Sequence, residues 1–154
     1  MLSHDFKEFV ELLNKNNVEY LIVGGYAVGI HGYPRYTGDL DIWINATRQN
    51  AHKMVAVLDE FGFSSFGLTE EDFIKSGNII QMGYPPFRID VLTKIDGVEF
   101  DACYKNKIIV RVDQLALSVI GINELKKNKQ ASDRPRDAED LRNLQNSTRH
   151  RDFE

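Results

Sequence analysis

Two aspartates one residue apart, Asp39 and Asp41 in the run DLDIWI, are the first side chains here whose spacing suggests chemistry. Side chains alternate across a strand, so the pair shares one face while Leu40, Ile42 and Ile44 take the other. Carboxylates held that close repel unless a cation or a shared proton lies between them. Core-type neighbours make the unpaired charge costlier still. A hard divalent ion with oxygen ligands, magnesium foremost, resolves the conflict. The plainer alternative is a hydrated D-x-D pair on the polar face of an edge strand.

The residues just upstream add a second element. An apolar strand over 19–23 ends in Gly24-Gly25 and leads into a short helical segment. Backbone N–H groups at such a helix start point toward an anion, commonly phosphate. A phosphate cradle beside paired acids suggests a nucleotide. A third acid, Asp90, lies between Ile89 and Val91 in a strand-like run. A lone carboxylate in such a run needs compensation. Its alternative is an edge-strand residue facing solvent beside Arg88, and Glu99 and Asp101 compete for the role without the strand context.

Val23-Gly24-Gly25, thirteen residues, then Asp39-Leu40-Asp41-Ile42 resembles the signature of the DNA polymerase β-like nucleotidyltransferase superfamily. The run N-K-x-A-x-x-R-P-R-D-x-x-D-L near the C-terminus is similar to that of minimal bacterial members, including those of the abortive-infection toxin type. The resemblance implies an α+β fold like the polymerase β palm, a twisted mixed sheet with helices packed mainly on one side. It implies transfer of NMP from an NTP to an acceptor hydroxyl, with release of pyrophosphate. Two Mg2+ ions are expected on Asp39 and Asp41, with Asp90 as the third ligand on the ion that activates the acceptor. Gly24, Gly25, Arg35 and Lys129 would hold the triphosphate, with Thr37 helping to orient it and Asp137 as a further candidate. Arg35 could equally be a solvated loop residue, and Thr37 a turn residue satisfying backbone. Lys129 and Asp137 could lie on a solvated helix face laced by pairs such as Arg136 and Asp140. His31 reads as structural or exposed. The acceptor would be a tRNA end, a protein hydroxyl or a small molecule, and an antitoxin is a candidate partner. The competing functional class is a noncatalytic nucleotide-binding or regulatory module.

The elements that must position these residues follow from pattern. With 154 residues, 42% hydrophobic and 27% charged, the chain is expected to form one globular domain over 1–146 with a flexible tail at 147–154. A net charge of −4 argues against broad, nonspecific nucleic-acid binding. The single cysteine, Cys103, rules out an internal disulfide or cysteine-based zinc site. No apolar run reaches the roughly 20 residues needed to span a membrane, and the charged N-terminal stretch lacks a signal-peptide core, so a cytoplasmic protein is expected. Amphipathic spacing predicts helices from Ser3 to Asn16 and from Arg48 to Phe61. Strands are predicted over 78–82, 87–92, 107–112 and 114–119, and two helices within 121–146, the second capped by Asp133 with Pro135 in its first turn.

Overall fold

Tyr20–Val23 (β1) is buried at every residue, as a strand must be that has neighbours on both edges and packed layers on both faces. The computed structural model describes residues 2–33, 37–84 and 86–152, with residues 65 and 147–152 described through their backbone only. Around β1 runs a mixed six-stranded sheet in the order β3-β4-β2-β1-β6-β5. Its other strands are β2 (Asp39–Ile44), β3 (Ile79–Tyr84), β4 (Phe87–Leu92), β5 (Ile108–Val112) and β6 (Leu115–Val119). β1 pairs antiparallel with β2 and parallel with β6, while β2 and β4 run parallel. Hairpins β3–β4 and β5–β6 close the two edges. Both turn residues of the second hairpin, Asp113 and Gln114, have positive φ, the backbone that a right-twisted two-residue turn requires.

Helix α1 (His4–Lys15) is capped by Ser3, whose Oγ accepts from the Phe6 N–H. It buries Phe6, Phe9, Val10 and Leu13, largely the stripe expected from the spacing. Helix α3 (Arg48–Phe61) is capped by Thr47 and ends at Gly62 in the left-handed region. The two helices meet through the edge-to-face pair Phe9–Phe61, and Phe6 of α1 reaches Phe87 of β4. Alternation places Phe87 and Ile89 on the same sheet face as Leu40 and Ile42, so α1 covers the apolar face. Buried Asn50 ties the ends of β1 and β2 to α3. It accepts from the Glu19 N–H and donates to the carbonyls of Glu19 and Asn45.

On the other face Trp43 packs edge-to-face on Phe100 of α4 (Phe100–Lys105). Helices α2 (Gly24–Ile30), α5 (Ile122–Ala131) and α6 (Pro135–Asp152) complete the set. Strand β3 runs two residues further than its hydrophobic run suggests. Gly83 adopts φ +90°, and Tyr84 beyond it still pairs with Phe87. Helix α6 extends to Asp152, past residue 147, where the sequence reading begins a tail. Before α6, Ser132 Oγ accepts from the Arg134 N–H, in the place where Asp133 was expected to cap. Among the described residues no helix is long and apolar enough to cross a membrane.

Candidate functional site

Parallel pairing of β2 with β4 puts Asp39 opposite Arg88 and Asp41 opposite Asp90. Cross-strand partners share a face, so all three predicted acids project from one side of the sheet. They line a cavity of about 570 Å3, whose far wall is the elbow between α5 and α6. Strand β4 lies between β3 and β2, and Asp90 is 7% exposed. The solvent-facing edge alternative for Asp90 is therefore excluded.

Gly24 forms the floor beneath the acids. Its φ of +67° lies in the left-handed region, and a Cβ placed there would overlap the Oδ2 of Asp41 and lie 2.9 Å from its Cγ. Glycine is needed twice, for the bend and for the close approach of the carboxylate. Gly25 is buried within the start of α2, where no side chain supplies a cap. Gly24→Ala is expected to cost about 2 kcal/mol or more, from left-handed strain and displacement of Asp41. That would lower the melting temperature by about 4–8 °C. An unchanged thermal melt would refute the close-approach argument.

The electrostatics of the acids are uneven. Arg88 donates through Nε to Asp90 Oδ1 at 2.8 Å, and through Nη2 to Asp90 Oδ2 at 3.0 Å and Asp39 Oδ2 at 2.9 Å. Burial, then the neighbouring Asp90 and Asp39, push the Asp41 carboxyl up to about 7, against a smaller pull from Lys129 and Arg134. Added positive charge would relieve it. No group of three or more His, Cys, Asp or Glu side chains among the described residues closes on one point as a finished metal cage. The donor chemistry nonetheless fits a hard cation: three carboxylates on one face, the central one burdened by its neighbours.

The remaining predicted residues are placed as follows. Lys129 lines the cavity but is 4% exposed. Its ammonium lies 2.7 Å from Asp137 Oδ1 and 3.2 Å from Asp140 Oδ2. Asp137 also accepts from Ser132 Oγ and from Arg134 Nε. Lys129 and Asp137 thus form a buried ionic knot joining α5 to α6, which corrects the solvated-face alternative. Asp140 pairs with Lys129 in that knot, where the sequence reading offered Arg136. Thr37 donates to the carbonyl of Asp39 at 3.3 Å, which is the turn role. His31 is buried, with Nε2 2.7 Å from the carbonyl of Ile120, a structural tie between α2 and the end of β6. Arg35 lies outside the described residues.

Arg88 stands out in the sequence only as a neighbour of Asp90. The signal was present, because Arg-x-Asp on a strand puts both side chains on one face, by the rule that pairs Asp39 with Asp41. What could not be read was Asp39 lying across from it.

No protein-family model and no curated protein sequence gives a significant match to this chain. Solved structures do match its fold. A nucleotidyltransferase candidate from Thermotoga maritima superposes with a TM-score of 0.62 at 15% identity, covering 92% of this chain and 90% of that one. An antigenic nucleotidyltransferase-like protein from Paracoccidioides brasiliensis gives 0.55 at 14% identity, covering 95% and 77%. The mixed α+β architecture described above is that of nucleotidyltransferase-like proteins.

Proposed function

We propose that this chain is a nucleotidyltransferase, moving NMP from an NTP to an acceptor hydroxyl. The observation that carries this reading is the placement of Asp39, Asp41 and Asp90 on one sheet face, above the Gly24 bend and inside a nucleotide-sized cavity. In this reading Asp39, Asp41 and Asp90 hold Mg2+, which when bound supplies positive charge to the entering and leaving oxygens of an in-line displacement. The acceptor oxygen bonds to the α-phosphorus as the bond from that phosphorus to the α,β-bridging oxygen breaks. Pyrophosphate leaves with the electron pair, and Asp90 takes the acceptor's proton. Arg134, with its side chain 78% exposed and its Nε held by Asp137, presents a guanidinium at the cavity wall for the triphosphate. Lys129 braces that wall and lends positive potential without leaving its carboxylates. A second cavity of about 310 Å3 adjoins the first, with Lys94 in both walls.

One observation favours the noncatalytic alternative. Arg88 already spans two of the three acids, as a fixed cation would in a chain that binds nucleotide without turnover. Incubation with Mg2+ and each labelled NTP separates the two. Pyrophosphate release or label transfer is expected, and it disappears with EDTA. Saturable nucleotide binding with no product under any NTP would favour the noncatalytic reading, and no cation-dependent binding at all would overturn both.

A further inference from the structure

We infer that Arg88 is the resident counter-cation of the acid cluster: it holds Asp39 and Asp90 in place and competes with a divalent cation for the same carboxylate oxygens. The inference rests on the reading that these acids hold such a cation. Its basis is geometric. One guanidinium reaches its cross-strand neighbour Asp39 and its own strand neighbour Asp90, and uses both oxygens of the latter. Nη2 is shared between the two acids, so a single planar group sets their separation. Asp41, directly across from Asp90 and two residues along β2 from Asp39, is not reached by any of these three Arg88 bonds. With Asp41 ionised, three carboxylates against one guanidinium leave two negative charges, which one divalent ion balances. A metal ion that takes up Asp90 must share or displace an oxygen that Arg88 engages. Arg88 is therefore a positioning residue whose removal tightens metal binding while loosening the metal-free fold.

Mn2+ binding to the 154-residue chain by calorimetry tests this in the wild type, Arg88→Gln, Arg88→Lys and Asp41→Asn. Arg88→Gln is expected to bind Mn2+ about tenfold tighter and to melt lower without metal. Arg88→Lys, which keeps the charge, is expected to stay near wild-type affinity. A residue that only packs would lower the melting temperature without tightening the ion. Equal or weaker Mn2+ binding by folded Arg88→Gln overturns the inference, while the cation reading still stands if Asp41→Asn abolishes wild-type binding. No Mn2+ binding by any of the four proteins overturns both. If Arg88→Gln does not fold, the wild type itself decides. The Arg88 Nε–H resonance, assigned by its loss in Arg88→Lys, must shift saturably with Mg2+, and a resonance unmoved at saturation overturns the inference.

Discussion

Asp41→Asn is expected to abolish cation-dependent turnover, lowering kcat/KM by about 1000-fold or more, while raising the melting temperature of the cation-free protein. The two effects have one cause. Asp41 is the central acid of the cluster, with Asp39 two residues away on its own strand and Asp90 directly across. Asparagine keeps the shape that fits against Gly24 but carries no charge, so its repulsion with Asp39 and Asp90 disappears from the half-buried cavity face. Relief on the order of 1 kcal/mol would raise the melting temperature by about 2–4 °C in a chain of this length. In the proposed reaction the same change would remove an anionic oxygen from the ligand set of the cation. Loss of about 4 kcal/mol of transition-state stabilisation corresponds to the rate loss above. Differential scanning fluorimetry in EDTA reads the first effect, and a pyrophosphate-release assay reads the second. Retention of wild-type turnover would remove Asp41 from the chemistry. A lower melting temperature would show that its carboxylate is structurally satisfied.

The second large effect is expected at the α5–α6 elbow. Asp137→Asn should destabilise the chain by about 3 kcal/mol, lowering the melting temperature by about 6–12 °C. Lys129 and Asp137 are almost completely buried, and Asp137 accepts from three donors at once, on Lys129, Ser132 and Arg134. Removing the charge takes away the nearer of the two carboxylates paired with the buried ammonium and loosens Arg134 from the cavity wall. The sign of the pH dependence follows from the same contacts. Burial raises the Asp137 carboxyl, but the bonds from Lys129, Ser132 and Arg134 outweigh it and leave the group below the ordinary carboxylate value. A depressed carboxyl contributes stability that is present above the unfolded value, about 4, and is lost as pH falls below it. The gap between wild type and Asp137→Asn in urea melts should therefore be full at neutral pH and narrow in acid. A gap under about 1 kcal/mol at pH 7 would mean that the knot is weak.

Local chemistry in the sequence was enough to pair Asp39 with Asp41, to place Asp90 in a strand, and to mark Gly24 as a bend. Each of these follows from a short-range rule: period-two alternation, an apolar run bounded by turn residues, and glycine's punctuation of turns. The helices from His4 and Arg48 were legible because their apolar residues recur at helical spacing, the first with Ser3 to cap it. Only the tertiary structure could show that β4 lies parallel and in register beside β2, which brings Asp90 opposite Asp41 and Arg88 within reach of Asp39. Likewise, only the folding of α6 back against α5 turned Lys129, Asp137 and Asp140 from a charged helix surface into a buried knot. Strand order and helix docking are settled by contacts between residues tens of positions apart. The periodicity of any one segment carries no information about which neighbour will cover it.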